Sequence, residues 1–395
     1  MVNKGYKYRI YPDIDQQKFL NETMGACRKV WNISLDQAIQ EYEKYKLDKL
    51  LSKPKVSGYE FSNKLTILKN EEKYKWLYNY SSCAMQQKLL DLGKAFTNFF
   101  RDIKKKSKTG YPKFKSRYHT DSFRLTPMYF KLVNKELYIT KSPTSLKIKL
   151  YRNLPSEPSQ VTITKTSTGK YYAVFLCKTE PKLTYGIGSV GIDLGVKDFI
   201  VTSDDEVISS PRSYMKYQDR LKLYSRRLSK KTKGFSNRNK ARIQLAKVHE
   251  KISNLRQDFI HKTTRTLVNR YKTIVIEDLN VKGMSKNRYL SKHILDNSFS
   301  MFRRFLEYKV IDSSWCNLVI ANRWYPSTQL CSSCGNRPSE KIKLSTREWI
   351  CSTCHTQHNR DLNASKNLAN IAKTHIQDIL DKSCGKLLIS EPYIV

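Results

Sequence analysis

Residues 188–208 read GSVGIDLGVKDFIVTSDDEVI. Successive side chains of an extended segment alternate between faces, so Val190, Ile192, Leu194 and Val196 line one side while Gly191, Asp193 and Gly195 line the other. Glycine inside a strand costs stability. Two of them flanking an aspartate on one face predict that a large group approaches Asp193 there. The plainer alternative is a strand-end carboxylate that serves only a turn. Asp204 and Asp205, placed between two apolar runs, suit that task better and read as a hairpin tip.

A second strand ends in acid within KTIVIEDLNVKGM, residues 272–284. The unbroken run Ile274, Val275, Ile276 is typical of a central strand covered on both faces, which leaves Glu277 and Asp278 at its carboxyl end. Ligands of open α/β sheets gather at such ends. Neighbouring strand residues point to opposite faces, so one of the pair joins Asp193, and the residues alone do not choose which. A third acid lies in HNRDLNASKNL, residues 358–368, where Asp361, Ala364, Leu368 and Ile371 follow helical spacing. Asp361 therefore extends the apolar stripe of a helix that begins near residue 360. A helix cap or dipole partner is the ordinary use of an aspartate at that place. A buried carboxylate without compensation is costly, however, and a divalent cation shared with other acids removes the cost. Three acids from two strands and a helix make an oxygen-only site suited to Mg²⁺ or Mn²⁺. Such sites run phosphodiester hydrolysis with two metals.

Cys331, Cys334, Cys351 and Cys354 form C-x2-C-x16-C-x2-C, a tetrahedral zinc signature. Four thiolates complete the coordination sphere, so the metal is expected to be structural. His355 and His358 stand next to a complete cysteine set and are expected on the polar surface or against nucleic acid. The remaining cysteines, Cys27, Cys83, Cys177, Cys316 and Cys384, read as ordinary thiols, since an odd total of nine in a reducing compartment argues against a disulfide framework.

Composition supplies the partner. Lys and Arg outnumber Asp and Glu by 73 to 35 in 395 residues, a net charge of +38, and so basic a chain is best accounted for by a polyanion that releases counterions on binding. Residues 215–256 carry 14 Lys and Arg against two acids, yet Leu245, Val248, Ile252, Leu255 and Phe259 keep an apolar stripe, so one face packs while the other is cationic. No signal peptide or membrane-spanning run is visible, and a soluble, cytoplasmic, nucleoid-associated protein without a membrane partner is expected. YKYRIYP near the start reads as a strand. The region that follows, to about residue 105, reads as helical, with Met85, Leu89, Leu92, Phe96 and Phe99 on one helix face. Residues 101–118 turn strongly basic, as in a loop. Residues 120–182 show short alternating runs and a Ser-Thr-Gly hairpin turn, as in a small β domain. PKLTYGIG, residues 181–188, reads as a linker into an α/β unit.

The combination GIDLGVKDFIV, IVIEDLN, YPSTQLCSSCG, CSTC and HNRDLNASKNL, with YKYRIYP, GYPKFKSR and RQDFIHK, closely resembles TnpB, the RNA-guided nuclease of bacterial insertion sequences related to type V CRISPR effectors. The resemblance implies an α/β protein with added small β and α domains: an RNase H-like (RuvC) nuclease core at 186–325 and 357–382 with an inserted zinc ribbon at 326–356. It also implies a wedge-type β-barrel at 1–12 and 120–182, a helical recognition domain at 13–119, and a tail at 383–395. By the same resemblance the catalytic acids are Asp193, Glu277 and Asp361, holding Mg²⁺ or Mn²⁺, with Zn²⁺ on the four cysteines. The implied partners are a guide RNA from the transposon end, bound by one protein, and double-stranded DNA cut beside a short adjacent motif. Ser62 and Gln86 occupy the surroundings that read this motif in the family, and Cys83 beside them is smaller than the aromatic residue expected there. Two other activities share these motifs: a nuclease-inactive RNA-guided repressor, which loses one of the acids, and a CRISPR-associated miniature type V effector.

Overall fold

The computed structural model describes residues 1–384 except 49, 53, 106–109, 117–120, 182–185, 314, 339 and 344, with the backbone alone over 373–384. Parts of the basic segment 101–118 and of the linker 181–188, the side chain of Cys384 and the tail from 385 lie outside the described residues. The chain divides into two compact units, Met1–Thr179 and Glu180–Val395.

In the first unit strand β1 (Val2–Ile10) precedes three helices, α1 (Ile14–Leu47), α2 (Gly58–Asn70) and α3 (Ser82–Lys104), and six further strands follow them. These are β2 (Asp121–Leu125), β3 (Phe130–Val133), β4 (Glu136–Ile139), β5 (Leu146–Lys149), β6 (Gln160–Lys165) and β7 (Tyr171–Thr179). Their antiparallel sheet has the order β2-β6-β7-β1-β5-β4-β3, with β1 paired along its whole length to β7. Among the described residues no ladder joins β2 to β3, so the sheet is nearly closed where a barrel was expected. Helix α1 begins with a capping box in which Asp13 accepts from the Gln16 amide and Gln16 answers to the Asp13 amide. On α3 the predicted stripe holds through Met85, Leu89, Leu92 and Phe96, all buried, while Phe99 is only half-buried.

The second unit is built on a five-stranded sheet, β8 (Ser189–Asp193), β9 (Asp198–Thr202), β10 (Val207–Ser209), β11 (Thr273–Glu277) and β12 (Asn317–Ala321), in the order β10-β9-β8-β11-β12. Strands β8, β11 and β12 run parallel, whereas β9 and β10 are antiparallel extensions. Their hairpin tip carries Asp205 at φ 64°, the left-handed turn expected there. The basic block is two helices, α4 (Ser213–Ser229) and α5 (Ser236–Arg270), with Leu221, Val248 and Ile252 buried between them. Short helices α6 (Val281–Met284) and α7 (Ser291–Asn297) lead to α8 (Phe299–Ile311). After β12 a small hairpin, β13 (Glu348–Ile350) with β14 (Gln357–Asn359), leads directly into α9 (Arg360–Cys384).

The alternation read from the sequence sorts the two faces of this sheet. Val190, Ile192, Ile274 and Ile276 pack with Phe299, Phe302 and Leu306 of α8, while Val275 and Ala321 pack with Leu368 and Ala372 of α9. Gly191 belongs to the α9 face. A Cβ placed on it would sit 1.9 Å from the Ser365 carbonyl oxygen and 2.4 Å from the Ala369 amide nitrogen. The large group that needs this glycine is thus the backbone of α9. Both neighbours are main-chain atoms, so no rotamer change relieves the clash. Gly191→Ala is expected to force α9 off the sheet and to cost about 1–3 kcal/mol or more, the range for overpacked cores, seen as a lower urea midpoint. An unchanged midpoint would contradict this packing.

Candidate metal centres

The α9 face continues past the ends of the strands. Asp193 lies two residues beyond Gly191, and Glu277 two beyond Val275, so both project on the side that α9 covers. Asp361 lies in the first turn of α9, and the stripe behind it holds, with Ala364 and Leu368 fully buried. The charges of Glu277 and Asp361 both act on Asp193, although among the described residues the four cysteines are the only group of three or more whose ligand atoms lie within 4.8 Å of one another. Burial first, then the charges of Glu277 and Asp361, push the Asp193 carboxyl up to about 8, although Arg360 opposes the shift. Burial also raises Glu277, against a hydrogen bond from the Ser327 hydroxyl at 2.5 Å. Two carboxyl groups that resist ionisation beside a third acid are what a divalent cation relieves, so the residues fit Mg²⁺ or Mn²⁺.

Asp361 is not the cap of its helix. Asn359 Oδ1 takes that role, accepting from the Asp361 and Leu362 amides at 3.1 and 3.2 Å. The Asp361 carboxylate is instead bracketed by arginines, Oδ2 by Arg347 Nη1 at 2.7 Å and Oδ1 by Arg360 Nη2 at 2.9 Å. Asp278, one residue past Glu277, takes the opposite face and binds Arg303 of α8. That hydrogen bond, together with Arg323, holds its carboxyl below the usual range. The alternative between Glu277 and Asp278, open in the sequence, is thus decided for proximity to Asp193.

The four cysteines bring their sulfur atoms within 4.8 Å of one another. Cys331 and Cys354 are 3.5 Å apart, Cys334 and Cys351 3.7 Å. A tetrahedron with Zn–S bonds of about 2.3 Å has edges of about 3.8 Å, so the set fits zinc. Two matching turns present it. The carbonyls of Cys331 and Cys351 accept from the amides of Gly335 and His355, and their own amides donate to Asn336 and Thr356. Gly335 and His355 occupy the same left-handed conformation, φ 74° and 55°, and His355 is exposed as expected. His358 departs from expectation. It is buried at 6 % exposure, paired across the β13–β14 ladder with Trp349 at 4.7 Å between ring centroids, and its Nε2 lies 3.0 Å from Cys331 Sγ. The ring supports a cysteine rather than facing solvent or nucleic acid, because the hairpin register turns it inward.

Two α9 asparagines tie the knuckle to the core. Asn363 bonds the Leu330 carbonyl and the Ser332 amide, and Asn367 bonds the carbonyls of Ser327 and Leu330. Sequence reading missed these, along with Ser327, Arg347 and Arg360. Their i, i+4 spacing beside the apolar stripe is the signal that marks Asn363 and Asn367 as inward-facing. In the first unit Ser62 of α2 donates to the Gly58 carbonyl at 2.9 Å, and Gln86 of α3 is exposed.

A family model described as "Probable transposase" (OrfB_IS605) matches residues 174–288, and one described as "Cas12f1-like, TNB domain" matches 299–368. A third, described as "Helix-turn-helix domain", matches 1–46, where the structure holds strand β1 and the uninterrupted helix α1. A Streptomyces pristinaespiralis protein named "Putative RNA-guided DNA endonuclease" is 36 % identical over 93 % of this chain and 89 % of its own. Escherichia coli "Putative RNA-guided DNA endonuclease InsQ" is 28 % identical over 92 % and 91 %. Among solved structures the Cas12f1 chain from a complex with guide RNA and target DNA aligns with a TM-score of 0.54, at 13 % identity, over 93 % of this chain and 99 % of that one. That likeness speaks to fold alone. No helix among the described residues is long and apolar enough to cross a membrane.

Proposed function

The chain belongs to the TnpB family of RNA-guided DNA endonucleases, and we propose that it cuts double-stranded DNA beside a short transposon-adjacent motif at an RNase H-like (RuvC) site. The observation that supports this reading is that Asp193, Glu277 and Asp361, carried by β8, β11 and α9 on one face of the sheet, lie near enough for the charges of two of them to act on the third. The guide is an RNA from the transposon end, and base pairing with it reads the target, while the protein reads duplex shape and the short motif. The basic helices α4 and α5 are suited to backbone contacts, and Ser62 and Gln86 are the motif-reading candidates. The N-terminal sheet and helices serve as wedge and recognition elements. Zinc on Cys331, Cys334, Cys351 and Cys354 is structural.

A divalent cation held there would supply activation of the attacking water and charge stabilisation at the leaving oxygen. The chain's own residues prepare that site. Asp193 and Glu277 would hold the cation from the strand ends, with Ser327 fixing the Glu277 carboxylate. Asp361 completes the set from the helix, and Arg347 and Arg360 orient it.

The decisive experiment purifies the chain with co-expressed transposon-end RNA and presents a plasmid library with randomised flanks in Mg²⁺. Wild type is expected to cut, and Asp193→Ala to lose at least about 10³-fold in rate, the scale of several kcal/mol of transition-state stabilisation. If both proteins bind the target and neither cuts, the protein is a repressor and the nuclease reading is withdrawn.

A further inference from the structure

At the carboxyl end of β11, on the α8 side, the second unit has a cavity of about 290 Å³ lined by Glu277 together with Lys282, Arg303, Arg304, Glu307 and Arg323. Four cations face two acids in this lining, and Asp278 beside it pairs with two of the cations, which leaves a small positive excess. A phosphodiester strand that runs past this end of the sheet would meet guanidinium groups that still have free N–H donors.

Two of the arginines are held in place. Asp278 accepts from Arg303 Nη1 at 2.6 Å through one oxygen and from Arg323 Nη2 at 2.5 Å through the other. Each guanidinium has a second anchor at Nε: Glu307 for Arg303 at 2.9 Å, and the Asp278 carbonyl for Arg323 at 3.3 Å. An arginine has five N–H donors, so these two bonds each leave donors over. The side chains remain 38 % and 46 % exposed. Arginine side chains lose substantial rotamer entropy when they bind an anion, and here the fold has already removed most of it. The arginines come from different elements, α8 and the segment after β12, and converge only because Asp278 points away from Glu277. One strand end thus presents a metal-binding carboxylate on one face and an arginine-gathering carboxylate on the other.

We propose that Asp278 is a positioning residue that sets Arg303 and Arg323 as a two-guanidinium clamp on a backbone phosphate of the strand being cut, close to the scissile bond. The proposal rests on the endonuclease reading above. The rival account makes the same ion pairs a pin between β11, α8 and the segment after β12, with no part in substrate binding. The two accounts differ in what happens when the phosphate, not the protein, is changed.

The experiment uses the full chain with its guide RNA. The cut position is mapped on wild type, and single methylphosphonates, which neutralise one phosphate each, are placed at the phosphates on either side. At one position wild type is expected to lose at least about 10-fold in rate, the size of a charge-assisted hydrogen bond. Arg303→Gln/Arg323→Gln is expected to be slower by about 10²-fold on unmodified DNA and to lose less than about 2-fold more at that position. Arg323→Gln alone, on the more exposed partner, and Asp278→Asn are expected to fall between. A merely structural pin would leave the double variant as sensitive as wild type to every methylphosphonate, and that result overturns the proposal. If wild type does not cut at all, the nuclease reading fails separately. The clamp is then judged by binding of a non-complementary single strand to the complex. The salt dependence of log K should flatten by about 0.7 in the double variant, which loses one phosphate contact. An unchanged slope refutes it.

Discussion

Asp361→Ala is expected to abolish cleavage while leaving zinc content, guide-RNA binding and target binding intact. The separation follows from where the residue sits. Asn359 caps α9, so the helix start does not depend on the Asp361 side chain. Ala364 and Leu368 continue to bury the helix against the sheet. What disappears is one of the three carboxylates proposed to hold the divalent cation, at an expected cost of at least about 10³-fold in rate. The same variant has a second signature in the metal-free protein. Asp193 is raised to about 8 in the folded chain, far above its unfolded value of about 3.9. Between those pH values the unfolded state binds fewer protons than the folded one, so this group makes stability fall as pH rises from about 4 to about 8. Removing Asp361 deletes one of the charges that raise Asp193 and frees Arg360 to act on it. The fall in melting temperature between pH 5 and pH 8 should therefore be smaller in Asp361→Ala than in wild type. Undiminished cleavage by the variant would remove Asp361 from the site.

The sequence carried the placement of the acids because it rests on local periodicity. Alternation in GIDLG and TIVIE assigns faces, and the spacing of Asp361, Ala364 and Leu368 assigns a helix stripe, each within a few residues. It left room for a large group at Asp193, whereas the structure crowds Gly195 with the Asp198 carbonyl of its own turn and Gly191 with α9, a contact that spans 174 residues between Gly191 and Ser365. The arginines were out of reach for the same reason. Arg347 reaches Asp361 across the knuckle, and Arg303 and Arg323 meet on Asp278 from two different elements. His358 shows a third kind of limit. Its neighbours in sequence are polar, and only the pairing register with Trp349 turns it inward. A one-residue slip would put it outside. The same logic separates Glu277 from Asp278. Composition makes them nearly interchangeable, and the side of the sheet decides that one faces Asp193 while the other gathers arginines.

Cys351→Ser/Cys354→Ser is expected to remove about one equivalent of zinc, because closed four-thiolate sites do not hold the metal with two ligands. Structural zinc in small modules is worth roughly 10–16 kcal/mol of apparent binding free energy, and that energy is also folding energy. Apart from the metal, the knuckle is held by the short β13–β14 hairpin, the inward His358 and the Gln329–Ile342 bonds. Cys351 and Cys354 precede a three-residue strand, β14, and the cluster draws on Asn363 and Asn367 of α9 for its remaining anchors. The consequence should reach the acids, because the strand that leaves the knuckle becomes the helix that carries Asp361. Arg347, which bonds Asp361 Oδ2, enters β13 from the knuckle side, and its carbonyl accepts from the Arg360 amide. Loss of zinc therefore loosens the third carboxylate at its base and removes one of its two arginines. Displacements near 1 Å at a reacting centre cost about 10²-fold, so cleavage should fall by at least that much with Asp193, Glu277 and Asp361 all present. Metal analysis and cleavage assay on the same preparation separate the cases. Retained zinc would refute the ligand set, and full cleavage without zinc would show that the knuckle does not position Asp361.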